Sequence, residues 1–535
     1  MNTHYPSSWF AIYGSSYRLN LSFCSSSSPF MATEEGPSYT VDEALEALGF
    51  GKFQVLVLVY AGMGWVSDAM EMMILSFVGS AVRSQWKLNA NQESLITTVV
   101  FAGLLVGSFS WGQVSDIFGR RRGYLVTALV TSVAGLLSSF SPNYACLIAA
   151  RCFVGIGLGG VPVLISYFLE FVPAPNRGAW MMVFSAFWSV GTVSEAGLAW
   201  IVMPRLGWRW LVGLSSVPSF LLLLFYIVTP ESPRYLCLKG RKDDAHKIRK
   251  IMQKIARLNG KELPPGVLVA DHERKQMEVE DVPHKDSESP PQIADKHVPI
   301  IRDSALGPVR TFLLLLSQKL RRSTLLLWFL FFVNSLAYYG LVLLTTELNN
   351  SNNKCHSTTQ ATNKSSSSDG VDYKNVFVTT FAEFPGVVIA ALTLDRIGRK
   401  LTMVGMFMVA GAFVLPLVVH HSPAVTTALL FVARMCINGT FSTIFVYAPE
   451  IYPTSVRTTG VGLSSAMGRV GGMVCPLVAV SLVQSCHLKE AVGLFAGVIF
   501  VAGLCVFLFP YETKGRQLIE SVSSSPSSSA DHQSP

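Results

Sequence analysis

The sequence predicts an all-α membrane protein, twelve transmembrane helices arranged as two pseudo-symmetric six-helix bundles. Composition is the first reason. Of 535 residues, 50% are hydrophobic and only 14% charged, with a mean hydropathy of +0.41, whereas soluble domains carry about 25% charged residues. So little charge points to lipid as the solvent. The second reason is recurrence. Apolar segments of about 20 residues, the length at which a helix crosses a bilayer with its backbone hydrogen bonds satisfied internally, return from Phe53 to Phe509. The third is duplication, since motifs of the first half reappear about 280 residues later.

Residues 1–50 read as a cytosolic N-terminal segment. The first 30 are Ser-rich and free of acids, and read either as a targeting peptide or as an extension ahead of Met31. The extension is preferred because MATEEGPSYTVDEAL reads as a complete start, with Thr40 and Glu43 spaced as a capping box. Residues 51–229 hold six spans, at about 53–78, 94–114, 123–140, 145–169, 179–203 and 209–228. Residues 230–322 form a polar linker: KGRKDDAHKIRKIMQKIARLNGKEL reads as a basic helical stretch and VEDVPHKDSESPPQIADKH as flexible, acidic and Pro-containing. Residues 323–510 hold the other six spans, at about 323–345, 375–394, 401–420, 424–447, 459–484 and 490–509. Residues 511–535 are a Ser-rich tail that reads as disordered.

Basic loops face the cytosol. Arg120, Arg121 and Arg122 follow the second span, Arg177 the fourth, Arg396, Arg399 and Lys400 the eighth, and Arg457 the tenth, all on one side. Both termini are then cytosolic. The net charge of +8 reflects this bias, so no nucleic-acid partner is expected. A monomer in the lipid bilayer is expected, in the plasma membrane ahead of the vacuolar membrane.

The repeats fall in these same loops. GQVSDIFGRRRG (112–123) returns as ALTLDRIGRK (391–400), with aspartates offset by 395 − 116 = 279. EFVPAPNRG (170–178) returns as EIYPTSVRT (450–458), both E-x-x-P-x-x-x-R, offset by 450 − 170 = 280. PESPRYL (230–236) returns as PYETKGR (510–516), offset by 512 − 231 = 281. Three pairs at one spacing make the chain a parallel duplication.

Tandem six-helix halves with these motif pairs resemble the major facilitator superfamily, from Val41 to Arg516. TVDEALEALGFGKFQ, AGMGWVSDAMEMM, FLEFVPAPNRG, AYYGLVLLTTELNNS and YAPEIYPTSVRTTGVG are similar to the plant organic cation/carnitine transporters, a subgroup also similar to nicotinate transporters and synaptic vesicle glycoprotein 2. WFLFFVNSLAYYG in the seventh span lacks the paired glutamines of sugar porters. The resemblance implies a secondary transporter of small organic ions, with its site near the bilayer midplane and one half rocking against the other. Proton-coupled uptake of carnitine or another organic cation or zwitterion is the first expectation. Nicotinate or trigonelline symport is the alternative.

In such a carrier the loop motifs act as latches. Asp116 and Asp395, among Arg120, Arg121, Arg396 and Arg399, are placed to lock the cytosolic face, and Glu170 with Arg177 and Glu450 with Arg457 offer the same device. The competing reading is ordinary surface ion pairs, worth about 0 to 1 kcal/mol each.

Asp68 and Glu71 lie within the first span, three residues apart and so on one helical face. An ionised carboxylate in hydrocarbon costs about 2.5 to 3.5 kcal/mol on insertion scales, so this face is expected to point at the central cavity. Two acids so close do not easily both ionise, which suits a proton carrier. One of them is suited to an ammonium, with Trp65 or a tyrosine as a cation–π wall; alternatively, Asp68 only pairs with a buried arginine. Arg151, in RCFVGIGLGG, resembles the superfamily's fourth-span arginine and is placed to pair with a first-span acid, for structure or for coupling. Arg434, offset by 434 − 151 = 283, is its repeat and reads as structural. Arg469, in SSAMGRVGGMVCP, suits bidentate capture of a carboxylate, and in related organic-ion carriers a basic residue in this span accompanies anionic substrates. Asn334, Tyr338, Tyr339, Glu383 and Glu195 complete the candidate cavity set, with Asn438 and Tyr447 as further polar residues; the tyrosines read either as cavity residues or as interfacial anchors.

Nine cysteines, mostly inside spans, read as small hydrophobes. Cys355 and Cys486, both on the non-cytosolic side, are candidates for a disulfide, and Asn349 and Asn363 stand in glycosylation sequons there. No metal-ligand cluster, nucleophile elbow or phosphate-binding loop is present in the sequence, so neither an enzyme nor a cofactor is expected and ATP is not the driver. A non-transporting sensor on the same fold stands as a minor alternative.

Overall fold

The computed structural model describes residues 38–514 apart from 174–176, 227–228, 240–241, 269–307, 349–371, 420, 454–455 and 485–486. Asn349, Asn363, Cys355 and Cys486 therefore lie outside the described residues, as do the side chains of Asp116 and Arg177.

Helix α1 (Val41–Leu48) carries the capping box expected of Thr40 and Glu43. Glu43 N–H donates to Thr40 Oγ1 at 3.3 Å and Thr40 N–H to the Glu43 carboxylate at 3.0 Å, so two end donors are satisfied reciprocally. The first span is α2 (Lys52–Met73) plus α3 (Leu75–Trp86), 35 residues interrupted at Ile74. It runs past the expected end at Val78, and Arg83 near its tip pairs with Glu93 at 3.4 Å. Spans two to six are α4 (Ala90–Phe118), α5 (Arg120–Ser139), α6 and α7 (Tyr144–Leu158, Val161–Leu169), α8 (Arg177–Leu206), and α9 with α10 (Trp208–Ser215, Val217–Phe225).

Two short helices follow, α11 (Pro233–Lys239) and α12 (Lys242–Asn259). Helix α12 buries Ile248, Met252 and Ile255 against the first half. Its last residue, Asn259, accepts the Phe53 N–H at 3.0 Å and donates to Gln54 at 2.8 Å, which satisfies an orphan donor at the start of α2. A two-residue parallel pairing of Ser38–Tyr39 with Val267–Leu268 lies nearby.

After α13 (Pro308–Leu315) come α14 (Arg321–Leu348), α15 and α16 (Tyr373–Phe381, Glu383–Arg396), α17 (Arg399–Val414), α18 (Pro423–Ile451), α19 (Arg457–Gln484) and α20 (Leu488–Phe507). Among the described residues, eleven helical segments are long and apolar enough to cross a membrane. The twelfth, α5, is less apolar because it begins with three arginines and is rich in Ser, Thr and Gly. Its 20 residues still reach about 30 Å, and it packs along α4, α6, α9 and α10.

Within the first half, glycines let α4 and α6 touch backbone to backbone. A Cβ on Gly155 would stand 2.1 Å from the Val100 carbonyl oxygen, and one on Gly107 would stand 2.1 Å from that of Ile156. Small residues serve this purpose where helices meet in lipid. The hydrogen bonds that join the two halves run from mid-depth toward the face opposite the basic loops. Ser94 Oγ donates to the Pro476 carbonyl at 3.0 Å and Thr98 Oγ1 to that of Met473 at 3.3 Å. Phe77 meets Tyr373 with ring centroids 6.0 Å apart, and Trp200 meets Phe377 at 5.7 Å. The protein is closed at that face.

Candidate functional site

Charges buried in hydrocarbon need partners, and two arginines at mid-depth have found them. Arg151 Nη1 donates to Glu71 Oε2 at 2.9 Å, and neither side chain is exposed to solvent. Glu71 therefore does not point at the central cavity with Asp68. It is enclosed within the first half, its second oxygen beside Gly135, because an arginine buried on α6 must be neutralised from within reach. Nearby, Glu195 Oε2 lies 2.7 Å from Ser215 Oγ. Glu195 is also fully buried inside the first half, not on the cavity wall.

Arg434 donates through Nε and Nη2 to Glu383 Oε1, at 3.1 and 2.8 Å. The same carboxylate accepts the Tyr338 hydroxyl at 2.8 Å and the Thr192 hydroxyl, from the other half, at 2.8 Å. Tyr338 in turn accepts from Trp188 Nε1 at 2.9 Å. Asn438 donates to the Glu383 carbonyl at 3.1 Å and to Ser189 Oγ at 3.5 Å. This network spans the boundary between the halves. Tyr339 packs edge-on against Phe101 of α4, with centroids 4.7 Å apart. Both tyrosines are buried, so neither is an interfacial anchor. Asn334 accepts from Thr440 at 2.8 Å and keeps its amide nitrogen buried without a partner. Tyr447 lies deeper toward the basic loops and donates to the Tyr511 carbonyl at 3.0 Å.

Asp68 and Arg469 are different. Both are half-buried, one from each half, and neither has a hydrogen bond or ion pair among the described residues. Each lies in the other's electrostatic field. Asp68 borders a small cavity of about 10 Å³ with Ser67, Tyr124, Thr127, Thr131 and Ser219, and the buried Tyr124 hydroxyl is unpartnered. Arg469 is brought in by its glycines. A Cβ on Gly471 would stand 2.3 Å from the Phe332 carbonyl oxygen, and one on Gly472 would stand 2.4 Å from the Phe101 ring. Trp65 lies one helical turn from Asp68, against Phe184 and Trp188 at 5.5 and 5.1 Å, with its indole nitrogen buried and unpartnered.

The basic loops form two matching clusters. Arg120 pairs with Glu170 at 3.1 Å, and Arg399 with Glu450 at 3.1 Å and with Asp395 at 3.6 Å. Glu450 does not pair with Arg457, which donates instead to the Tyr452 carbonyl at 3.3 Å. The proline between them is the reason: the chain leaves α18 after Ile451, turns at Pro453, and Arg457 starts a new helix. The third motif supplies helix caps. Glu231 accepts the Arg121 N–H at 2.9 Å, and Glu512 accepts those of Arg399 and Lys400 at 2.9 and 2.8 Å. Carboxylates suit helix N-termini, where N–H groups lack partners. Arg121 also donates to the Tyr226 carbonyl at 2.9 Å. Sequence reasoning gave Glu231 and Glu512 no such role, although their repeat spacing marked them. Trp188, Thr192 and Ser215 left no signal, since each partner lies on a different helix.

Residues 58–281 match the family "Sugar (and other) transporter" and residues 364–530 match "Major Facilitator Superfamily". The chain is 57% identical over 493 residues to organic cation/carnitine transporter 7 of Arabidopsis thaliana, covering 91% of this chain and 97% of that protein. It is 38% identical over 492 residues to the synaptic vesicle 2-related protein of Bos taurus, covering 90% and 83%. Among solved structures, the inward open conformation of the xylose transporter XylE from E. coli is similar with a TM-score of 0.61 at 15% identity, covering 87% of this chain and 98% of that one. An integral, multi-pass chain with this sequence kinship belongs to the major facilitator superfamily of membrane transporters.

Proposed function

We propose that this protein is a proton-coupled carrier of small zwitterions of the carnitine kind, working by alternating access. One observation carries the reading: among the described residues Asp68 and Arg469, on opposite halves, are left unpaired while the deeper charges around them are matched. A quaternary ammonium beside Asp68 and Trp65 and a carboxylate on Arg469 supply the two missing partners. Neither half binds both ends alone, so substrate draws the halves together. With the basic loops in the cytosol, as we propose for both termini as well, the closed face is the external one. The Arg120–Glu170 and Arg399–Glu450 clusters then hold each half's cytosolic loops in shape during the rocking motion.

The proton is assigned to the acids of the first half. Ser215 has one hydroxyl hydrogen, and its oxygen lies 2.7 Å from Glu195 and 2.8 Å from the Leu211 carbonyl. If the hydrogen goes to the carbonyl, Glu195 must supply one of its own to the serine. Two carboxylates around one arginine leave room for that proton. A second reading, nicotinate or trigonelline symport, draws on the Trp65–Trp188–Phe184 cluster, which offers faces for a pyridine ring. We propose a monomer in the plasma membrane, with the vacuolar membrane as the other site.

The test is uptake of radiolabelled carnitine and nicotinate by transporter-deficient yeast at acidic and neutral external pH, for wild type, Asp68→Asn and Arg469→Ala. Uptake of either solute that rises in acid and is lost in both variants supports the reading. Surface-localised protein that moves neither solute overturns the substrate assignment and favours a sensor.

A further inference from the structure

On the basic-loop face, outside the transport path, a cleft of about 470 Å³ lies where α4 and α10 end and α5 begins, with α12 forming its other wall. Its walls include Arg121, Arg122, Lys247 and Lys250, with Phe118 and Tyr226 beside them. Two chain segments far apart in sequence supply these four cations. Lys247, Lys250 and Ile251 share one face of α12, while Ile248 and Met252 on the adjoining face are buried and fix that orientation. The acid in the cleft, Glu231, is engaged through Oε1 by the N–H groups of Arg121 and Ser232. It offsets part of the positive charge of the cleft.

The cleft also holds an unused donor. Arg121 lies over the Tyr226 ring at 4.1 Å and donates through Nη2 to the Tyr226 carbonyl, yet its Nε is buried with no partner among the described residues. A charged N–H without an acceptor is costly, and an anion entering the cleft supplies one. The apolar surface just below shows what kind of molecule carries that anion. Leu221, Leu224 and Phe225 of α10 are exposed at 40%, 68% and 50%, and Phe118 at the end of α4 at 56%. A basic pocket opening onto a greasy track matches an amphiphile with its head in the cleft and its chains along α10.

We propose that this cleft binds a phosphate-bearing anion, the headgroup of an anionic phospholipid of the cytosolic leaflet. The leaflet assignment rests on the orientation proposed above; the binding site does not. Bound there, the headgroup bridges α12 to the start of α5.

The test is native mass spectrometry of the full chain in mixed micelles containing phosphatidylinositol monophosphate, for wild type, for Arg122→Gln with Lys250→Gln, and for Arg249→Gln with Arg257→Gln. The last pair removes the same charge from α12 outside the cleft. Cleft substitution should weaken lipid retention by about fivefold per cation lost, and the control pair should leave it near wild type. Equal retention by all three overturns the proposal. Soluble inositol trisphosphate distinguishes the source: failure to displace the lipid supports a headgroup, and displacement at matching concentration overturns the lipid assignment. Because the readout is binding, it is independent of which solute the carrier moves.

Discussion

Arg434 holds Glu383 at 2.8 Å inside the second half, as Arg151 holds Glu71 at 2.9 Å inside the first. The arginines are repeats of each other, yet their acids are not: Glu71 stands on the first helix of its half and Glu383 on the second helix of its own. Duplication preserved the cations, and each half met the cost of burying one in its own way. The supporting donors differ as well. Glu383 keeps Tyr338 and Thr192 when Arg434 is removed, whereas Glu71 has one oxygen buried without any partner. Breaking a buried pair from one side costs about 3 to 5 kcal/mol. Arg151→Leu is therefore expected at or above the upper end of that range and Arg434→Leu toward the lower, read as melting midpoints of the solubilised protein. The reverse order would show that the hydroxyl donors do not support Glu383.

Asp68→Asn should separate stability from transport. No partner in the described structure depends on its charge, so the melting midpoint should shift by less than about 0.5 kcal/mol in equivalent stability, while uptake is lost. Glu71→Gln should lower both. If Asp68→Asn unfolds the protein, the acid has a structural partner and the substrate assignment falls.

Gly472→Leu should jam one state of the cycle. Its side chain would enter the ring of Phe101 across the boundary between halves, at the face the structure closes. We expect folded protein that cannot close there and moves substrate at least about tenfold more slowly, with a cysteine introduced at Ser94 becoming reactive to an impermeant thiol reagent. Unchanged labelling would mean that the halves part elsewhere.

Acid should weaken the cap on α17. Burial pushes the Glu512 carboxyl up, but backbone N–H bonds from Lys400, Arg399, Lys514 and Thr513 outweigh it and hold the group below its ordinary value of 4.5. Such a group stabilises the fold fully above the ordinary value and loses that contribution as pH falls through the lower folded one. Glu512→Gln should flatten the decline of the melting midpoint with acidification. Parallel curves for the two proteins would place the acid sensitivity elsewhere.

The sequence made the fold readable because each span must close its own hydrogen bonds, so apolar length alone marks it. Helix α5 was visible by position between its motifs although its Ser, Thr and Arg content lowers its hydropathy. The site was only partly readable. Spacing put Asp68 and Glu71 on one helical face, but which of them meets an arginine depends on where α6 carries Arg151, a matter of helix packing that no local pattern encodes. The latch was misread for a similar reason: Glu450 and Arg457 are close in sequence, while Arg399, 51 residues away, is closer in space.

Helix α12 is fastened to the first half through α1, α2 and α11, and through Asn259 at the start of α2. Its exposed side, at Arg249 and Arg257, is thus a handle rigidly mounted on one moving body. A fluorophore there, paired with another on the second half's basic loop at Arg396, makes a ruler whose length follows each turnover. A helix that lies outside the membrane thus gives the experimenter a point fixed to one half from which to watch the other swing.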